Sequence, residues 1–159
     1  MPAPLLFLDV DGPLIPFGAS RPYPTYPPYD DMNPLLDRVN PAHGPRLASL
    51  GCDLHWATTW MHDANDCVSP RLGLPTLPVV SWPSSSEDEY TDLHWKTTTL
   101  VERAAARPFI WLDDEITDTD RTWVRAHHPA PALLHTVDPT RGLTDADFAV
   151  LDEWMSVRV

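Results

Sequence analysis

The chain begins its pattern with four apolar residues, Leu5-Leu6-Phe7-Leu8, that run straight into Asp9-Val10-Asp11-Gly12-Pro13. An apolar run of this length bounded by a glycine turn reads as a buried strand. A strand interior does not tolerate two carboxylates one residue apart, so Asp9 and Asp11 belong at the strand's exposed end. Gly12 lets the backbone turn sharply there or come close to a ligand. Carboxylates held at one point need a cation, a proton or a lysine between them, and that requirement marks a site.

Further along, segments of strand type alternate with segments of helix type. Asn40-Pro41 opens a helix carrying Leu47 and Leu50 on one face, and Gly51 closes it. Asp53 to Thr58 reads as a second strand, Trp60 to Val68 as a short helix stopped before Pro70, and Leu77 to Trp82 as a third strand. His94 to Ala106 follows as a helix with Leu100, Val101 and Ala104 as its apolar stripe. Phe109 to Leu112 is a wholly apolar strand ending in Asp113-Asp114-Glu115. Ile116 to His128 is helical up to Pro129, Leu133 to Val137 is a fifth strand, and Thr144 caps a last helix through Phe148, Leu151 and Trp154. The alternation predicts an α/β fold: a single Rossmann-like three-layer domain over 1–159, with a parallel sheet of about five strands covered by helices on both faces.

In open parallel sheets ligands bind beyond the carboxyl ends of the strands. Three of the five strands end in groups suited to a phosphate or metal site: Asp9 with Asp11, Thr58 with Thr59, and Asp113 with Asp114. A calcium loop is excluded by register. With Gly12 as the sixth loop position, Phe7 and Gly18 fall where carboxylates are required. Cys52 with His55, and His62 with Cys67, lack zinc spacing.

Composition narrows the partners. A net charge of −12 with only 11 Lys and Arg argues against long nucleic acids and anionic membranes, which need a basic face. The N-terminal apolar run is too short for a signal peptide or a membrane span. The 2 cysteines are too few for a disulfide scaffold, which points to a reduced, cytoplasmic setting. Of 19 prolines, seven fall between Pro13 and Pro34, interleaved with Tyr23, Tyr26 and Tyr29. Proline removes donors and fixes φ, so this stretch is neither helix nor central strand; we read 13–34 as an ordered flap starting at the site.

FLDVDG, LHWATT, a lone Lys96 opening a helix and IWLDDE, in that order, resemble the motifs of the haloacid dehalogenase (HAD) superfamily, from Leu5 to about Val137. The resemblance implies a magnesium-dependent phosphatase working through an aspartyl phosphate. Asp9 matches the nucleophile, Asp11 the general acid/base, Thr58 the hydroxyl that binds a phosphoryl oxygen, and Lys96 the ammonium that neutralises phosphate. The implied metal set is Asp9, the main-chain carbonyl of Asp11, and Asp114, with Asp113 in support or exchanged with it. Gly12, Thr59 and Trp60 would line the substrate pocket. Neither insertion point has room for a full cap domain, so the flap and the acidic loop Ser84 to Asp92 would shape the entrance. The substrate would be a phosphorylated metabolite, nucleotide or phosphoprotein. A metal-dependent phospho-ligand binding domain and a phosphotransferase are the alternatives.

Overall fold

In the computed structural model, which describes residues 3–83 and 92–157, Leu5–Leu8 forms β1 at the centre of a parallel sheet. It pairs with β2 (Asp53–Trp56) on one side and β3 (Phe109–Asp113) on the other, and β4 (Ala132–Thr136) completes the order β2-β1-β3-β4. The inner strands β1 and β3 are buried at every residue, whereas the edge strands β2 and β4 are only partly buried. That difference explains the continuous apolar runs of β1 and β3, since a strand with helices on both faces has no polar side.

Side chains alternate along each strand and divide the core into two layers. Leu6, Leu8, Ile110 and Leu112 pack with Leu47, Leu72, Phe148 and Leu151. Those residues come from α1 (His43–Ala48), α2 (Ser69–Leu72) and α5 (Asp145–Ser156). Leu5, Phe7, Phe109 and Trp111 face the other way, against Leu100, Ala104 and Val124 of α3 (Thr97–Ala104) and α4 (Asp118–His127). This is the expected three-layer α/β arrangement. Thr144 caps α5 through a capping box with Asp147, and Thr117 caps α4 through one with Asp120.

Among the described residues the sheet has four strands, where the sequence predicts about five. Leu77 to Trp82 lies alongside β2 but pairs at a single bridge, Trp56 with Val79, closed by Trp56 N–H to Pro78 O and Val80 N–H to Trp56 O, each 2.9 Å. Pro75, Pro78 and Pro83 flank that bridge and bring no N–H, so a ladder cannot extend there. The helix expected over Trp60 to Val68 also differs. It starts at Ala64 as a π-helical turn and runs on through Pro70 to Leu72, because proline is tolerated in the first turn of α2. The helix expected from His94 to Ala106 is trimmed to α3, with Ala105 and Ala106 at φ 49° and 68° beyond it. Asn40 takes part in the turn before α1, accepting from Ala42 N–H, rather than capping the helix itself.

Residues 13–33 are without helix or strand beyond an isolated bridge between Asp11 and Ile15. They are fixed by long-range contacts: Phe17 N–H to Pro139 O at 2.7 Å, Tyr26 N–H to Asp37 O at 2.8 Å, and Arg38 Nη1 to Pro16 O at 2.8 Å. A short 3-10 helix, Pro34–Arg38, follows. Most of the acidic loop, 84–91, lies outside the described residues. Among the described residues no helix is long and apolar enough to cross a membrane.

Candidate active site

The carboxyl ends of β1 and β3 are neighbours in the sheet, with Leu8 paired to Leu112, so the residues following them meet at one rim. Asp9, Asp113 and Asp114 gather there. Each offers a carboxylate oxygen, and the three oxygens lie within 4.8 Å of one another. Asp9 is only 7% exposed and Asp113 1%.

Lys96, just before α3, reaches into this cluster from the adjoining layer. Its Nζ lies 2.8 Å from Asp113 Oδ2 and 3.4 Å from Asp9 Oδ1, and donates to Ala57 O at 2.9 Å. A lysine 3% exposed is placed there only because all three donors of its ammonium have partners. The start of α3 is itself anchored: Asp120 Oδ1 accepts from His94 N–H and from Thr97 Oγ1, both at 2.8 Å. Lys96 N–H donates to His94 Nδ1 at 3.1 Å.

The carboxylates divide by what already holds them. Asp113 Oδ1 accepts from Glu115 N–H at 3.0 Å and its Oδ2 from Lys96, so both oxygens are engaged. Asp9 Oδ1 accepts from Val10 N–H at 2.8 Å beside Lys96, which leaves Oδ2 without a partner among the described residues. Asp114 is half-buried. Burial, with the Asp113 and Asp11 charges and against the pull of Lys96, raises the Asp9 pKa to about 8. Burial and then Asp113 raise Asp114 to about 6. Fully ionised, three carboxylates beside one ammonium would leave two negative charges in excess in a largely buried place, which is the charge that the raised Asp9 and Asp114 values resist. The donor set therefore fits a hard divalent cation taking oxygen ligands from Asp9 and Asp114, with Asp113 committed to Lys96.

Asp11 does not join that cluster through its carboxylate. Its Oδ2 accepts from Trp60 Nε1 at 3.2 Å, which holds it at the mouth of the site and leaves only its main chain for the metal role the resemblance gave it. Gly12 has φ +98°, and a Cβ there would come within 2.8 Å of Asp114, so the backbone approach expected of it is toward an acidic side chain. Thr58 follows β2 and is fully buried, its Oγ1 accepting from Trp60 N–H at 3.2 Å; Thr59 is exposed.

Two tryptophans not singled out by the sequence also border the site. Trp82 donates from Nε1 to Thr58 O at 3.2 Å, and Trp95 packs edge-on against it with ring centres 5.0 Å apart. Lys96 Nζ sits 5.8 Å and 5.4 Å from their ring centres. Trp95 adjoins Lys96 in the chain, the one signal that could have drawn attention to it. Asp120 was likewise legible only as the last residue of Thr117-x-x-Asp120, a helix-start pattern that says nothing of α3.

The sheet order, the two-layer covering and the acidic rim with its buried lysine define a HAD-type α/β domain, whose kind of chemistry is that of hydrolases and phosphatases. Residues 5–148 match the family of the HAD domain in Swiss Army Knife RNA repair proteins, and the chain belongs to that family. Neither the curated proteins nor the solved structures contain a significant match to it.

Proposed function

We propose that this chain is a magnesium-dependent phosphoric monoester hydrolase that forms an aspartyl phosphate on Asp9 and acts on a phosphorylated nucleotide end. The single observation carrying the chemistry is the state of the Asp9 carboxylate. One oxygen is oriented by Val10 N–H and Lys96, the other is without a partner among the described residues, and the carboxylate lies in one cluster with Asp113 and Asp114. A nucleophile needs that combination of fixed direction and a free lone pair.

In the first half-reaction Asp9 Oδ2 attacks phosphorus in line, and the bond from phosphorus to the leaving oxygen breaks. Asp11, oriented by Trp60, gives its proton to that oxygen. In the second, Asp11 takes a proton from water as the water attacks phosphorus, and the bond from Asp9 to phosphorus breaks to release inorganic phosphate. Lys96 offsets charge on the phosphoryl oxygens and on Asp9, and Thr58 and Thr59 stand where β2 ends to hold those oxygens. Asp9 and Asp114, with the main-chain carbonyl of Asp11, would hold magnesium, which when bound supplies charge neutralisation for the phosphoryl group and favours the ionised form of Asp9.

The family description supports RNA as the source of the phosphorylated end. The net charge of −12 restricts that substrate to a short or single-stranded end rather than a long duplex. Cys52 and Cys67 are both free thiols, in keeping with a cytoplasmic setting. Hydrolysis of an aryl phosphate with and without magnesium, before and after Asp9→Asn, tests the reading. Magnesium-dependent release of phosphate that disappears in the variant is the expected result. Release that persists in Asp9→Asn rules the mechanism out.

A further inference from the structure

Beneath the proline-rich stretch lies a cavity of about 170 Å³ that the chemistry above does not use. It is lined by Pro13, Tyr23, Tyr26, Arg38, His43 and Arg141, among others. Among the described residues Arg46, Arg71, Arg107 and Arg121 form ion pairs with carboxylates. Arg38 and Arg141 have no carboxylate within ion-pair distance among the described residues.

Arg38 is nonetheless held in place. Nη1 donates to Pro16 O at 2.8 Å, and the guanidinium lies 4.5 Å from the centre of the Tyr23 ring, whose hydroxyl accepts from Ala19 N–H at 2.7 Å. Only one of its five N–H groups is thereby used. His43 adds a buried Nδ1 that has no hydrogen-bond partner.

The cavity is joined to the active-site loop by backbone. Leu143 N–H donates to Pro13 O at 2.8 Å, and a Cβ on Gly142 would lie 3.0 Å from Pro13 O and 3.4 Å from Gly12 O. Gly12 in turn abuts Asp114. One wall of the cavity is thus the far side of the turn that carries Asp9 and Asp11.

We propose that this cavity is a second-phosphate subsite: Arg38 and Arg141 take a backbone phosphate of the substrate strand, next to the end whose phosphate meets Asp9. Guanidinium forks match phosphate oxygens in geometry, and the Tyr26 ring offers a face for the adjoining nucleotide. The proposal deepens the phosphatase reading, on which it rests for the identity of the strand. It also reconciles a strongly acidic chain with a polyanionic substrate, since two arginines outside any close ion pair, although Arg141 feels the Asp138 charge, stand beside the active-site turn.

The test is binding, measured without magnesium and without turnover, so it stays readable whether or not hydrolysis is found. A short, fluorescein-labelled, end-phosphorylated single-stranded oligoribonucleotide is titrated with the whole chain between about 50 and 200 mM salt. The titration is repeated for Arg141→Ala and Arg141→Glu, with thermal melts as the check on folding. Arg141 is exposed, so neither variant disturbs the core. Arg141→Ala should weaken binding about fivefold to tenfold and make the slope of log affinity against log salt shallower by about 0.7, the single-strand value for one phosphate contact. Arg141→Glu should weaken binding further. Wild-type affinity and slope in both variants would overturn the proposal, as would a wild-type chain that does not bind the strand. Inorganic phosphate is titrated in parallel. If it alone binds in an Arg141-dependent way while the strand does not, the cavity serves a free anion and the strand assignment is wrong.

Discussion

Lys96 Nζ and Asp113 Oδ2 are 2.8 Å apart in a place where the lysine is 3% exposed and the aspartate 1%. A buried pair of this kind contributes little relative to well-packed apolar residues, yet it is costly to break because one charge is left alone. Lys96→Met should therefore lower unfolding free energy by about 3–5 kcal/mol. It should also lower kcat/KM for an aryl phosphate by about 10²–10³-fold, the effect of removing one charge-stabilising group. Replacing both partners, Lys96→Met with Asp113→Leu, should return most of the stability and none of the activity. Denaturant melts together with steady-state rates check this, and recovery of activity in the double variant would show that Lys96 acts only as a structural strut.

A divalent ion that binds the gathered carboxylates of the folded chain, and not their dispersed unfolded counterparts, must stabilise the fold. Magnesium at about 100 times its dissociation constant contributes about 2.7 kcal/mol, a rise of about 5–10 °C for a domain of this size. The rise should vanish in Asp114→Ala, since Asp113 is already committed to Lys96 and the Glu115 amide. Calorimetry or dye-based melting gives the readout. A wild-type melting temperature insensitive to millimolar magnesium contradicts the assignment.

The metal-free cluster has a pH signature of defined sign. Asp9 stands at about 8 when folded against an ordinary 3.8, chiefly through burial. A carboxyl raised in this way favours the folded state below about pH 3.8 and loses that contribution as pH rises through about 8. Asp9→Asn should then stabilise the metal-free protein at pH 8 and bring little or no gain at pH 3.5. Burial lowers His43, His55 and His94 and gives the opposite slope, with stability lost as pH falls through 6.5. Comparing the variant with wild type at each pH cancels the histidine contribution. A variant less stable than wild type at pH 8 would refute the burial argument.

Trp60 Nε1 holds Asp11 Oδ2 at 3.2 Å, so in the proposed mechanism Trp60 positions the proton donor. A donor matters most when the leaving oxygen is basic. Trp60→Phe keeps the ring and removes the N–H, so it should slow alkyl phosphate hydrolysis by about tenfold or more and leave nitrophenyl phosphate hydrolysis within about threefold, a fraction of the 10²–10⁴ available to general acid catalysis. Equal losses on both substrates would mean that Trp60 serves packing alone.

Much of this arrangement is legible before folding because parallel strands end at a common rim. Asp9 and Asp114 follow apolar runs, and a reader who sees two such runs paired in parallel can place their acids together. Lys96 carries no such pattern; only the order of the motifs drew attention to it, and its burial depends on Asp113, Ala57 and the Asp120 anchor from three other segments. The strand expected over Leu77 to Trp82 fails for a reason visible in the chain, the prolines around Val79, whose lost donors outweigh its apolar pattern. Trp82, Trp95 and the bond from Trp60 to Asp11 were not legible. Contacts between distant side chains leave no periodicity to read.

The central claim is that Asp9 becomes phosphorylated, and the most direct measurement is mass spectrometry of the acid-quenched chain during turnover with magnesium. Asp11→Asn should let the adduct accumulate by withdrawing the base that activates water. The account predicts one phosphoryl group on the peptide containing Asp9, absent when Asp9→Asn is added. Turnover with no adduct, or with an adduct on another residue, would contradict it.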